Sequence, residues 1–409
     1  MNAFRPPKPS PPWIRLAGSV ALWVLRARGV QELSIDDESI ERLRALGKTP
    51  AMLCPNHPTN NEPAVLFELS KRLERPFFYV CCREAFDYFG GLWGWMLQRL
   101  GAYSLARGTL DRASFQTTRM LLGRTGMRLV VFPEGEVYSQ NDTLLPFQTG
   151  VVQLAFWGLE EALKNGLEDV VLVPIAVRYR FLRSQRTAIA RSLGRLERAL
   201  GLETGEGTRY DRLRRIGVEV VDRLTRQFGL EFDDATPLSE RMDVLKRTQL
   251  EHAARIAGVE LRGGSLAEEM RRVLNAVYGV EDPGPPEGAS AYDRRLWGEA
   301  RAHIAPAVHE LDRLQNWIAV VDGYVGEDPS DERMAHTLVR LEVEVLGRRL
   351  LGGPTVCAVR VGPSISLAAS RERYRADRRG AVEEVAASLE SAVQAELDAL
   401  VRLHQAPTP

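Results

Sequence analysis

Four short apolar runs, Ala51–Cys54, Phe77–Cys82, Leu129–Phe132 and Val170–Tyr179, alternate with stretches of helical periodicity, and a fifth follows at Val356–Leu367. Runs of this length, bounded by turn residues, read as strands buried on both faces, and strands separated by amphipathic helices need crossover connections. The expected fold class is therefore α/β, a mixed sheet flanked by helices. At 409 residues the chain exceeds one average domain, so a second unit or a large addition is expected. An apolar share of 44% beside 26% charged residues excludes wholesale disorder.

The first connection carries the most chemistry. Asn56-His57-Pro58-Thr59-Asn60-Asn61-Glu62 follows the first apolar run, and Pro63 sits where a helix would start, with Val65, Leu66, Leu69 and Leu73 on one face. A strand-to-helix turn of this kind lies where open α/β sheets place their sites. A histidine alone is more often structural than catalytic. His57, however, is the only histidine before His252, and prolines and asparagines that define a turn enclose it. A carboxylate at Glu62 that accepts the Nδ1 proton would leave the other ring nitrogen as a general base.

Three downstream stretches are ordinary one by one. Gly101 to Gly108 brings Ser104 and Arg107 to the end of a short strand, where an arginine fork suits phosphate. Phe132-Pro133-Glu134-Gly135 closes the third run with a carboxylate in a tight turn. Val173-Pro174-Ile175-Ala176-Val177 is a buried run whose proline belongs at an edge, at a strand start or beside a ligand. Phe86, Tyr88, Phe89, Trp93, Trp95 and Met96 form an aromatic cluster that would serve acyl-chain or membrane contact, or simply pack as a core helix.

In order and spacing these blocks resemble the glycerolipid acyltransferases of the 1-acyl-glycerol-3-phosphate acyltransferase type. That family carries N-H-x4-D, G-x-x-F-I-x-R, F-P-E-G-T and V-P-V-A-I, here Asn56 to Glu62, Gly101 to Arg107, Phe132 to Gly135 and Val173 to Val177. Leu145 to Gly150 is similar to the family's F-K-x-G, and Val359 to Ile365 to its late V-x-x-G-E-P-I strand, with a helix following from about Ala381 to Leu403. The resemblance implies a glycerol-3-phosphate acyltransferase-like domain over residues 31–183 plus 353–409. Three departures stand out: Glu62 where the family has aspartate, Glu136-Val137 in place of Thr-Arg, and residues 184–352, a long stretch where the family needs a short connection.

That stretch is expected to be an all-α insertion domain. Leu213, Ile216, Val220, Leu224 and Phe228 mark one stripe, Thr236-Pro237 and Asp328-Pro329 suit helix starts, Gly352-Gly353 suits the last helix end, and residues 282–288 read as a linker. Its histidines, His252, His303, His309 and His336, lack ligand spacing, so no metal is expected.

The resemblance implies acyl transfer from a thioester, acyl-CoA or acyl-carrier protein, to the hydroxyl of a glycerol-phosphate or lysophospholipid acceptor in phospholipid biosynthesis. His57 would be the base, Glu62 its orienting acid, Arg107 and Ser104 would bind substrate, and Glu134 and Gly135 would shape the acceptor site. Backbone N–H groups at the His57 or Gly135 turns are candidate oxyanion donors, and no cofactor is expected. A non-catalytic lipid-binding scaffold and a thioester hydrolase are the alternatives. The changed residues at 62, 136 and 137 leave room for an acceptor other than a phosphate-bearing alcohol.

Lys plus Arg and Asp plus Glu balance at 54 each, which argues against nucleic acid as partner. Before Glu32, by contrast, Arg5, Lys8, Arg15, Arg26 and Arg28 face no acidic residue. Residues 1–30 read as a basic arm: a flexible proline-rich lead to residue 12, then a helix with Trp13, Ile14, Leu16, Val20, Trp23 and Val24. That helix either lies in the headgroup plane of a membrane or docks on the protein's own core. It is too short to span a bilayer and lacks a cleavage site for a signal peptide. Four cysteines without zinc spacing, two of them adjacent, fit a reducing compartment. A cytoplasmic protein, peripheral at the membrane face, is expected.

Overall fold

The computed structural model describes residues 4–106, 111–137, 141–281, 285, 288–318, 320–327 and 329–405. Two compact units emerge, one over Ala3–Arg180 with Thr355–Pro409 and the other over Phe181–Pro354. The first contains α1 (Pro11–Ala27), β1 (Val30–Ile35), α2 (Asp37–Ala45), β2 (Ala51–Pro55), α3 (Glu62–Arg72), β3 (Phe78–Cys82), α4 (Leu92–Arg99), β4 (Ala102–Leu105), α5 (Arg112–Leu122), β5 (Arg128–Val130), α6 (Thr149–Lys164) and β6 (Val171–Phe181). Helices α7 (Arg186–Leu200), α8 (Arg209–Gln227), α9 (Leu238–Ile256), α10 (Leu266–Glu281), α11 (Ala291–Trp317) and α12 (Asp331–Leu346) make the second unit. The chain then adds β7 (Thr355–Val361), β8 (Ile365–Ser366), α13 (Arg371–Ala376) and α14 (Arg378–Gln405) to the first.

Among the described residues the strands form one mixed sheet in the order β1-β7-β6-β2-β5-β3-β4, with β8 antiparallel on β6. β2 lies at its centre, parallel to both β5 and β6. Ala51, Met52, Leu53 and Cys54 are fully buried, so alternate side chains feed a core on each face of the sheet. Because β2, β5 and β6 run the same way, the turn after β2, the turn after β5 and the far end of β6 come together at one edge.

Several expectations change. The run Val356–Leu367 is two strands, because Gly362-Pro363 ends β7 before the chain turns back as β8. Pro174 is not at an edge: it pairs with Cys54 in a central strand, where it forfeits one donor but its carbonyl still accepts the Gly362 N–H at 2.9 Å. Helix α12 ends at Gly347, whose φ of 68° is a left-handed cap, rather than at Gly352-Gly353. It starts after Ser330, whose hydroxyl accepts the Arg333 N–H, and not at Pro329. Asp328 and most of the 282–288 stretch lie outside the described residues.

The lead before α1 is docked rather than flexible from Phe4 onward. Arg5 and Ser104 exchange two hydrogen bonds, and the Lys8 and Ser10 N–H groups donate to the Gln98 and Arg99 carbonyls at 2.9 Å. Helix α1 uses both of its faces. Gly18, Ala21 and Leu25 are buried against the sheet unit, with small residues permitting close approach to α3. Trp13, Leu16, Val20 and Trp23, spaced by three, four and three residues, form a second apolar stripe that is exposed.

Candidate active site

Helix α3 begins at Glu62, so the turn from Asn56 to Asn61 is short and the Glu62 carboxylate lies at a helix N-terminus, where the backbone dipole favours a negative charge. Glu62 is fully buried and four donors converge on it. His57 Nδ1 lies 2.6 Å from Oε2, and the Thr59 N–H donates to the same oxygen at 3.2 Å. The Thr59 hydroxyl donates to Oε1 at 2.5 Å and the Tyr179 hydroxyl at 2.7 Å. A carboxylate so surrounded fixes the imidazole, leaving Nε2 as the ring's other nitrogen. The extra methylene of glutamate over aspartate brings the carboxylate out to the tyrosine hydroxyl on β6.

Phe132, which leaves β5, stacks on the His57 ring with centroids 4.0 Å apart and planes 18° from parallel. The next turn holds His57 from the backbone side. Glu134 Oε1 accepts the His57 N–H at 2.8 Å and Oε2 the Leu145 N–H at 3.1 Å. Burial raises the Glu134 carboxyl above its ordinary value, although these two N–H groups and nearby His57 oppose the rise. Gly135 has φ 78°, and a Cβ there would collide with the Gln148 side chain, so the turn requires glycine. Its N–H donates to the Phe132 carbonyl. The N–H groups of His57 and Gly135 are thus both occupied, which removes them from the set of oxyanion donors in this conformation.

Two asparagines extend the β6 ladder past the end of β2. Asn56 exchanges both amide hydrogen bonds with the backbone of Val177, and Asn141 does the same with Tyr179. These side chains mimic a neighbouring strand, and they hold Val177 and Tyr179 in register so that the Tyr179 hydroxyl reaches Glu62. Tyr179, Thr59 and Asn141 were not singled out from sequence. A signal existed for Tyr179: it stands two residues beyond Val177 in a strand, and so on the same face.

The structure brings His57, Glu62 and Glu134 together, with Gly135 in the adjoining turn. Ser104 is elsewhere engaged: it is 1% exposed in β4, and its hydroxyl accepts the Arg5 N–H at 2.9 Å. Arg107 lies outside the described residues. Among the described residues no group of three or more His, Cys, Asp or Glu is placed to hold a metal, and His252 and His336 contact Phe228 and Tyr324 instead.

No curated protein matches the chain. Residues 34–178, which span the His57 turn, the Glu134 turn and β6 as far as Arg178, match the family model described as Acyltransferase, and this supports acyl transfer as the chemistry of the sheet unit.

Proposed function

We propose that the chain transfers a fatty acyl group from a thioester donor, acyl-CoA or acyl-carrier protein, to the hydroxyl of a glycerol-phosphate or lysophospholipid acceptor. His57 Nε2 takes the proton of the acceptor hydroxyl while Glu62 stabilises the imidazolium that forms. The acceptor oxygen attacks the thioester carbonyl carbon, a C–O bond forms, and collapse of the tetrahedral intermediate breaks the C–S bond. The imidazolium then returns its proton to the leaving thiolate, so the products are an ester and a thiol. The observation that carries this reading is the His57–Glu62 pair at 2.6 Å, buried on the Glu62 side and in a segment matching the acyltransferase model.

Arg107 is assigned to an anionic part of donor or acceptor, and the Glu134–Gly135 turn to the shape of the acceptor site. A thiol-release assay with acyl-CoA against a panel of acceptors tests the reading, with His57→Ala as the blank. Turnover of the variant at the wild-type rate would overturn it. Thiol release with free fatty acid as sole product would point instead to a hydrolase.

The acceptor class implies a membrane, and two adjoining surface features support peripheral binding there. The outward stripe of α1 is one. The other is the segment before α4, where Tyr88, Phe89 and Leu92 are exposed and Phe89, at 84%, is the most exposed large apolar residue of the described chain. Phe89, Gly90 and Gly91 all have left-handed backbone, which costs a phenylalanine about 1–2 kcal/mol and holds its ring outward. Trp13 packs edge-on against Trp95 at 5.2 Å and so joins the two features. Arg99 lies over the Trp95 ring, and the exposed Arg15 and Arg26 stand on the same helix as the outward stripe, which suits anionic headgroups. Among the described residues no helix is long and apolar enough to cross a membrane. All four cysteines are thiols, which supports the cytoplasmic face as the location.

A further inference from the structure

We infer that the helical unit holds a second binding site, independent of the acyl-transfer reading, for a neutral and mainly apolar molecule with one hydroxyl or carbonyl oxygen. The site is a cavity of about 130 Å³ between α8, α9, α11, α12 and the segment after α11. Its walls are chiefly Leu213, Val221, Leu224, Met242, Trp317 and Val320. Space of about this volume accepts a molecule of roughly six heavy atoms, benzene being the reference case.

Two observations distinguish it from a packing defect. Gly217 stands in the middle of α8 and on the cavity wall, and a Cβ there would meet nothing within 4 Å. Glycine inside a helix is less favourable than alanine, so a position with free space ahead of it gives up helix stability and keeps the cavity open. Thr337 on α12 also lines the cavity, is 8% exposed, and its hydroxyl has no hydrogen-bond partner. Mid-helix threonine ordinarily bonds back to the preceding turn, and a buried polar atom without a partner is uncommon. A ligand oxygen at this point would supply that partner.

The wall also bears on the ligand's charge. Its lining holds Arg214 and Arg340 beside Asp322 and Glu344, two charges of each sign. No net charge is left over, so a neutral ligand is favoured over a carboxylate or an amine.

Calorimetric titration of the full chain with 1-hexanol tests the site, with hexanoate as the charged counterpart and benzene as the oxygen-free one. Saturable one-to-one binding of 1-hexanol, tighter than that of hexanoate, is expected. Gly217→Leu should abolish binding of both 1-hexanol and benzene. Thr337→Val, which keeps the shape and removes only the hydroxyl, should weaken 1-hexanol about fivefold and leave benzene unchanged, as the loss of one net hydrogen bond implies. Absence of saturable binding, undiminished binding in Gly217→Leu, hexanoate binding as tight as 1-hexanol, or Thr337→Val without effect on 1-hexanol would overturn the inference.

Discussion

Glu62 accepts four hydrogen bonds with two oxygens, and that saturation makes it sensitive to a change of one atom. In Glu62→Gln an amide NH₂ replaces an acceptor and must face a donor, from either the His57 and Thr59 side or the Thr59 and Tyr179 side. Turnover is expected to fall at least tenfold with the acceptor KM nearly unchanged, since about 1.4 kcal/mol of lost stabilisation is a factor of ten. Steady-state kinetics with varied acceptor checks this; a change confined to KM would count against an orienting role. Tyr179→Phe removes a single donor and leaves no orphan, so it should cost about 1 kcal/mol of stability and a smaller part of kcat. Glu134 behaves differently, because burial raises its carboxyl. Its folded value stands above its unfolded one, so its contribution is full at pH below the ordinary carboxyl range and is lost as pH rises through the folded value.

At the scale of elements, the helical unit contains a carboxylate of the opposite kind. Glu342 on α12 is fully buried, and burial alone would raise it. The Ser192 hydroxyl, the Arg195 guanidinium and the Leu350 and Leu351 N–H groups outweigh that cost and hold it below the usual range. Its contribution is therefore present above the ordinary glutamate pKa of about 4.3 and is lost as pH falls through the depressed folded value. Thermal unfolding of the full chain followed from pH 7 to pH 3 should show this acid loss in wild type and a shallower one in Glu342→Gln. Helix α1 yields a further prediction. Deleting it would also remove Leu25 from the core, so the informative change is to its outer stripe. Trp23→Ser combined with Phe89→Ser should leave the melting temperature within a few degrees, because both side chains are exposed, and should lower sedimentation with anionic liposomes several-fold. Sedimentation equal to wild type would remove the interfacial role of this face.

Considered as a whole molecule, the chain is formally neutral while its N-terminal segment is not, so electrostatic attraction to a surface would be a local matter. Liposome binding is expected to weaken as ionic strength rises from about 0.05 to 0.5 M, over which the screening length falls well below 10 Å, while an apolar remainder persists. Sedimentation across that series checks it, and binding indifferent to salt would assign the contact to the tryptophans and Phe89 alone.

What could be read from the residues alone were the features carried by local pattern. Buried strands announce themselves as apolar runs, helices as periodic stripes, and the His57–Glu62 spacing puts both groups in one turn because a strand end and a helix start leave only a few residues between them. The rest depended on residues distant in sequence. Tyr179 meets Glu62 across 117 positions, and the His57 N–H meets Glu134 across 77. Only the parallel order of β5, β2 and β6 makes those meetings possible, so the occupation of the His57 N–H was invisible until the strands were in place. The exposure of Trp23 and Phe89 was equally open, because an apolar face buries wherever a partner covers it, and whether one does is decided by the packed chain rather than by the helix that carries it.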